Sequence, residues 1–402
     1  MKLMNQIIWI NEEDGLAHIE AGITGKLLVD IMRKKGYCIG HEPDSLEFST
    51  LGGWIATKAS GMKRGKYGNI EEIVKEVKVV GSGGLLATDN KSVGRSAIGL
   101  ELVSLFLGSE GCLGIITSAT IKIWPLPEIT EFDSVIFPDL GQGILFARDV
   151  AKLGPHAPAS VRLLDNDHFR LGQALHAERS LLETAVLQIS MRLSPGLKIA
   201  SKLSAVCATI LFEGTLEEVR DQKKRMRQIV VKHGGAQVGP RIGRAGYELT
   251  FSIAYLRDFA LTYNFLGDSF ETFAPWSKLD IIIAATKERI RKEHLERCLP
   301  GTPFIASRVT QLYHEGVCVY FYMCMNIEGV ERPSDLLTEI EHAARKVILE
   351  HGGSLTHHHG IGKIRAPFLD RIYSERYRAT LASVKTSIDP ENLFGARNGI
   401  FS

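Results

Sequence analysis

The sequence predicts an α+β protein of two or three domains, one of them built on a largely antiparallel sheet. Three observations carry this. A chain of 402 residues exceeds what one hydrophobic core ordinarily holds. The second half contains two copies of a strand–Glu-Gly–helix–His-Gly-Gly unit, a duplicated β-α-β arrangement that suggests a split antiparallel sheet with helices on one face. Pro125 and Pro127 interrupt the pattern and mark a domain boundary near residue 128.

In chain order, LAHIEAG (16–22) reads as a strand, and LLVDIMRKKG (27–36) as a helix stopped by glycine. GHEPDSLEFSTLGGWIATKASGMKRGKYGN (40–69) has too much Gly, Ser and Thr for a helix. Long irregular segments inside compact domains tend to carry function. EEIVKEVKVV and IITSATIKIWPLPE read as strands. ATILFEG (208–214) is a strand leading into a helix that opens on a Thr215/Glu218 capping box and ends at Gly234. VCVYFYMCMNIEG (317–329) leads into a second helix, with Ser334 as its N-cap and Gly352 as its stop.

Composition excludes several functions. Lys plus Arg number 48 against 46 Asp plus Glu, too balanced for a dedicated nucleic-acid binder, whose affinity comes from neutralising phosphates. The longest apolar run, Val317–Met325, is far short of a membrane-spanning helix. The N-terminus has no signal-peptide core. Cys38, Cys112, Cys207, Cys298, Cys318 and Cys324 form no CxxC pair and read as reduced, buried thiols of an intracellular protein.

Four features could carry chemistry. GITGK (22–26) lacks the spacing of a P-loop, and no GxGxxG follows a strand. What remains is DSLEFST (44–50), TKASG (57–61) and GSEGCLGII (108–116), small-residue segments whose N–H and hydroxyl donors can wrap a pyrophosphate or form ordinary turns. THHHGIGK (356–363) holds three adjacent histidines. On a strand they would point to opposite faces, so a metal site is disfavoured, while flanking glycines suggest backbone held close to something. Imidazoles titrate near neutrality and suit proton transfer. On the strand VCVYFYMCM, period-two alternation puts Cys318, Tyr320, Tyr322 and Cys324 on one face, as core or as a tuned phenol. Arg162 and Arg257 sit in apolar segments, where a cation needs either an ion-pair partner such as Asp165 or Asp258, or an anionic ligand.

Together these segments, with APASVRLLDN, IAYLRDFAL, LGDSFETFAPW, SRVTQLYHEGVCVYFY, GGSLTHHHGIGK and DPENLFGARN, resemble the alkyldihydroxyacetonephosphate synthase family, FAD-dependent enzymes of the vanillyl-alcohol-oxidase flavoprotein superfamily. LGSEGxLG marks only the superfamily; LGDSFETFAPW and SLTHHHGIGK are specific to the family. The resemblance implies part of an FAD-binding domain (1–127), an α/β cap domain with a largely antiparallel sheet (128–350), and a segment returning to the active site (351–402). It assigns flavin contacts to Asp44, Ser45, Leu46, Glu47, Phe48, Ser49, Thr50, Thr57, Lys58, Ala59, Ser60, Glu110, Gly111, Cys112, Leu113, Gly114, Ile115 and Ile116. Tyr320 matches the catalytic tyrosine and Arg257 the substrate-binding arginine, with Arg308 the next candidate for the phosphate. Arg162, His357, His358 and His359 match positions needed for activity, and ARNGI (396–400) a tail that helps form the site.

The implied reaction has no net redox. Acyl-dihydroxyacetone phosphate loses a proton beside its ketone, then its fatty carboxylate, and a long-chain alcohol becomes the ether through a flavin-bound intermediate. Tyr320 would exchange the carbon-bound proton, and Arg257 would hold the phosphate. The resemblance implies a peroxisomal ether-lipid enzyme with no nucleic-acid partner and no metal. It leaves peripheral membrane association and a homodimer open. The chain begins where the family's FAD domain is half complete, so the Gly-rich pyrophosphate segment is missing. The expectation is a fragment, a misplaced gene start or a degenerate copy that binds FAD poorly. Gly99, Leu100 and Glu101 also stand where the superfamily prefers Gly-x-Asp. The alternatives are an FAD-dependent 2-hydroxy-acid dehydrogenase, recognised by anaerobic flavin reduction with a hydroxy acid, and an inactive truncated binding remnant, recognised by FAD titration.

Overall fold

A computed structural model describes residues 1–88, 95–99, 101–175, 204–395 and 398–401. They form two compact units, Met1–Leu126 with His358–Ser402, and Pro127–His357. Leu100, Ala396 and Arg397 lie outside the described residues.

The first unit carries strands β1 (Ile7–Asn11), β2 (Leu16–Glu20), β3 (Tyr37–Cys38), β4 (Val74–Gly81), β5 (Gly84–Leu86), β6 (Ile115–Lys122) and β7 (Trp124–Pro125). Five make an antiparallel sheet in the order β1-β2-β6-β4-β5, while β3 pairs with β7. Helix Gly25–Lys34 packs Leu28 and Met32 into the core of this unit. Burying such a side chain contributes on the order of 2 kcal/mol. LGGWIAT, expected to be irregular, is a helix over Leu51–Thr57. Thr50 caps it by accepting from Gly53 N, and Gly52 leaves room for Ala21, where an added Cβ would meet the Ala21 methyl at 2.9 Å. The stretch expected as strand EEIVKEVKVV begins as a helical turn, Ile70–Ile73, and becomes strand only at Val74.

The second unit carries β8 (Ile129–Phe137), β9 (Ser160–Leu164), β10 (Val206–Gly214), β11 (Ala236–Gln237), β12 (Phe265–Pro275), β13 (Phe304–Leu312) and β14 (Gly316–Asn326). They form one antiparallel sheet in the order β11-β8-β10-β9-β13-β14-β12. Alternation assigns the faces. Val206, Ala208, Ile210 and Phe212 of β10 and Val317, Val319, Phe321, Met323 and Met325 of β14 face a core filled by Phe146, Met226, Ile282, Ile290, Ile340 and Ile348 from four helices. The expectation of helices on one face fails. Helix Pro240–Leu261 lies on the opposite face, where a Cβ on Gly246 would meet the Thr209 methyl at 2.9 Å. Gly243 and Gly246 give it that close approach.

Both strand–helix copies are present. Helix Leu216–Lys232 opens on the expected box, with Glu218 N donating to Thr215 Oγ1 at 3.2 Å and Thr215 N to Glu218 Oε2 at 2.9 Å. The second helix, Pro333–Glu350, starts before Ser334. Pro333 takes the first helical position, where its missing N–H costs nothing and its φ is already helical, so Arg332 becomes the cap. Of the cysteines expected to be buried, Cys112, Cys207 and Cys318 are, but Cys298 is exposed.

The second helix holds a buried ion pair. Arg345 Nε donates to Glu341 Oε1 at 2.7 Å, and its Nη1 donates to the carbonyls of Leu355 and, at 3.3 Å, Glu271. Its guanidinium lies over the Phe270 ring. One side chain thus ties helix, strand β12 and the segment before His357. Glu341→Gln would remove a buried countercharge from that cation, so it should cost about 3–5 kcal/mol in urea unfolding. A loss under ~1 kcal/mol would show that the carbonyls alone satisfy Arg345.

Candidate active site

Within the second unit, the sheet register brings ionisable groups into one row. Arg308 on β13 lies opposite Tyr320 on β14, which lies opposite Glu271 on β12. Arg162 stands on the same face of β9, opposite Thr209. Tyr320 stacks on Tyr322 with ring centroids 5.7 Å apart, and the Arg308 guanidinium covers both rings at 5.9 and 5.2 Å. Arg162 is buried, donates to Thr250 Oγ1 and to Gly246 O, and lies over the Tyr247 ring. The Asp165 partner that its sequence suggests is used elsewhere: Asp165 accepts from Ser307 N at 2.6 Å, Ser307 Oγ at 2.7 Å and Lys287 at 2.9 Å.

His168 sits edge-on to Tyr322 at 4.9 Å. Burial, with the positive charges of Arg308 and Arg162, lowers its pKa from 6.5 to about 3. It is therefore a neutral ring among cations at ordinary pH.

Glu271 is fully buried and organises the segment that follows the second helix. Its carboxylate accepts from Thr356 Oγ1 and from His357 N, both at 2.7 Å. Thr272 Oγ1 donates to Ser354 O at 2.6 Å, and Phe273 N donates to Ser354 Oγ at 2.8 Å. Glu271, an edge-strand carboxylate, thereby fixes the backbone of His357, whose Nε2 lies 2.7 Å from Tyr313 Oη. Arg257 differs from these groups. Its side chain is 55 % exposed and paired with Asp258 at 3.5 Å, the ion-pair alternative its sequence allowed.

Within the first unit, Asp44–Thr50 bonds to the start of helix Gly25–Lys34, and the turn Gly108–Glu110 bonds to helix Leu51–Thr57. Ser49 O accepts from Gly25 N, Leu46 O from Lys26 N, Ile55 O from Gly108 N and Ala56 O from Glu110 N. Asp44, Ser45, Glu47, Phe48, Thr57, Lys58 and Ile115 are exposed, whereas Ala59, Ser60, Cys112, Leu113, Gly114 and Ile116 are buried. The hydroxyls of Ser49, Thr57 and Ser60 are engaged internally. Ser49 donates to Ser45 O at 2.8 Å, Thr57 to Gly53 O at 2.9 Å, and Ser60 to Asn69 Oδ1 at 2.6 Å. Donors for a ligand here are thus mainly backbone N–H groups.

The same unit explains the glycines of HHHGIGK. The Glu110 carboxylate accepts from Ile361 N and, at 2.8 Å, from Gly362 N. Gly360, at φ +78°, packs so closely that a Cβ would meet Glu110 Oε1 at 2.4 Å. The sequence expected a flavin contact at Glu110; the structure gives its carboxylate to the histidine loop. The rings of His358 and His359 meet edge to face at 4.8 Å.

The sequence does not advertise His41. It is buried beside Trp54, neither ring nitrogen has a hydrogen-bond partner among the described residues, and burial lowers its pKa to about 3. A neutral imidazole offering one donor and one acceptor beside a backbone-lined turn fits a polar heterocyclic cofactor. The signal was its place in GHEPDS, directly ahead of the expected loop.

Comparison with known proteins follows the same lines. The family described as FAD linked oxidases, C-terminal domain, matches residues 126–398, and the FAD binding domain matches residues 1–89. An alkyldihydroxyacetonephosphate synthase from Caenorhabditis elegans is 39 % identical over 99 % of this chain, and one from Trypanosoma brucei brucei is 31 % identical over 98 %. The chain spans 66 % and 63 % of the length of those relatives. A solved alkyldihydroxyacetonephosphate synthase structure superposes with a TM-score of 0.79 at 26 % identity, covering 98 % of this chain and 66 % of the other.

His168 yields a pH prediction. Its folded pKa lies below the unfolded value, so unfolding takes up a proton and stability is lost as pH falls below 6.5. His168→Phe removes that uptake. Between pH 7 and pH 5 the variant should gain roughly 2 kcal/mol relative to the parent in urea unfolding. A difference independent of pH would mean that His168 is solvated.

Proposed function

The chain belongs to the FAD-linked oxidase family, and on that premise we propose that it carries out the alkyl transfer of alkyldihydroxyacetonephosphate synthases. The fatty carboxylate of acyl-dihydroxyacetone phosphate is exchanged for a long-chain alcohol, with no net redox. The same resemblance extends the proposal to ether-lipid synthesis in peroxisomes. The observation that carries the reading is the buried row Glu271–Tyr320–Arg308, with His357 fixed at its edge. It combines a phenol, an imidazole and cations, the set needed for moving a proton beside a ketone on an anionic substrate.

The residues divide the work. Tyr320 takes the proton from the carbon beside the ketone, whose carbonyl makes that proton acidic. Removing the proton prepares the neighbouring C–O bond to break, and the carboxylate departs with the bonding pair. The alcohol oxygen then forms the new bond and loses its proton to His357, which Glu271 and Tyr313 orient, while Tyr320 returns a proton to the carbon, so that it is CH2 again in the ether. The resemblance counts His358 and His359 among the residues needed for activity. Arg162 and Arg308 lower the potential of the anionic intermediates. Asp44–Thr50, Thr57–Ser60 and Glu110–Ile116 would hold FAD, through backbone N–H groups. Stabilising the three-carbon unit between departure of the carboxylate and arrival of the alcohol is the chemistry that FAD supplies when bound.

Tyr320→Phe and Tyr322→Phe test this as a pair, since the two rings stack and each substitution removes one oxygen. In FAD-loaded protein, Tyr320→Phe should abolish both alkyl transfer and exchange of the substrate's carbon-bound proton with solvent, while Tyr322→Phe retains both. Exchange at the parent rate in Tyr320→Phe would pass the base role to the histidines. Reduction of bound flavin by a 2-hydroxy acid would overturn the reading altogether.

A further inference from the structure

Arg308 is 4 % exposed, yet among the described residues its side chain has no hydrogen bond and no ion pair, and its Nε is a buried donor without an acceptor. Its contacts are two aromatic faces. Such faces attract a cation but do not replace the acceptors its N–H groups lose on leaving water. Buried charges are ordinarily paired, and Arg345 and Lys287 in the same unit are. Among the described residues, Arg308 is therefore arranged for an acceptor that none of them supplies.

We propose that Arg308 is the phosphate anchor of this site, receiving a phosphate monoester on its forked N–H donors. This rests on the alkyl-transfer reading above and deepens it by reassigning the anion-holding role. Three observations favour a dianion. Arg308 and Arg162 both bear on His168, so two cations share the neighbourhood. His168 adds no charge, and Asp165, the nearby carboxylate on the chain after β9, is held by Ser307 and Lys287. Glu271 is two strands away and bound to Thr356 and His357. A phosphate monoester carries more charge and more acceptor oxygens than a fatty carboxylate, which suits the forked donors of Arg308. Arg257, more than half exposed and beside Asp258, is the poorer anchor.

The test measures dihydroxyacetone phosphate binding by calorimetry on the full 402-residue chain, alongside thermal melting without ligand. Arg308→Met should weaken binding by roughly 30-fold, the equivalent of ~2 kcal/mol. It should also raise the melting temperature of the ligand-free protein, because an unpaired buried cation is exchanged for an apolar side chain of similar length. A purely structural arginine would lower it. Arg308→Lys should bind more weakly than the parent, since one ammonium cannot present the fork, and palmitate binding should be unaltered by either substitution. Unchanged phosphate binding in Arg308→Met, or a loss confined to palmitate, overturns the anchor while leaving the alkyl-transfer reading in place. If Arg308→Met fails to fold, Arg308→Lys with parental affinity overturns it equally. A parent chain that binds neither dihydroxyacetone phosphate nor inorganic phosphate overturns both.

Discussion

A charged side chain taken out of water must find its compensation inside the protein or in a ligand, and the second unit is organised by that constraint. One face of its sheet is ordinary: branched and aromatic side chains pack against four helices. The other carries Arg162, Arg308, Tyr320 and Glu271, which no apolar core would tolerate unless each were placed. Arg162 is settled by a hydroxyl and a carbonyl on helix Pro240–Leu261, and Glu271 by the chain around His357. Arg308 keeps its donors open. The antiparallel register fixes this pattern, since a slip of one residue would exchange the two faces and place cations among valines.

The first unit applies the same logic to a loop. Glu110 stands in the left-handed region at φ +50° beside Gly111. Its carboxylate gathers two backbone N–H groups from the segment after the triple histidine. A carboxylate bound in this way holds the loop without a covalent link, and Gly360 can sit against it only because it lacks a Cβ. Lys385 does similar work further on, donating to Cys112 O at 2.7 Å and Phe394 O at 2.8 Å. The glycine-rich turn, the histidine loop and the C-terminal segment of this unit are therefore fastened by two charged side chains.

Period-two patterning made the β14 strand legible, down to Tyr320 and Tyr322 sharing a face, because side-chain alternation is a local property. The capping box at Thr215 and Glu218 was legible for the same reason. Helix Leu51–Thr57 was hidden, since its two glycines argue against helix locally, and the contact with Ala21 that requires Gly52 is invisible in the sequence. The start of helix Pro333–Glu350 was misread because Pro333 outranked Ser334. In the site, Tyr320, Arg162 and His357 stood out by residue type in apolar or Gly-flanked surroundings. Glu271 and His168 did not, because their meaning comes from cross-strand pairing between segments far apart in sequence. Arg308 looked subordinate to Arg257 until burial separated the two.

On the proposal above, the donors of Arg308 that lack an acceptor among the described residues are the receiving end of an anion site on the polar face of the second unit's sheet. A crystal structure of the chain soaked with dihydroxyacetone phosphate tests it most directly. Phosphate oxygens should lie at roughly 2.7–3.2 Å from the Arg308 guanidinium, the range of a true hydrogen bond, above the Tyr320 and Tyr322 rings. Phosphate bound instead to Arg257, with Arg308 still in contact only with the tyrosines, would contradict the account.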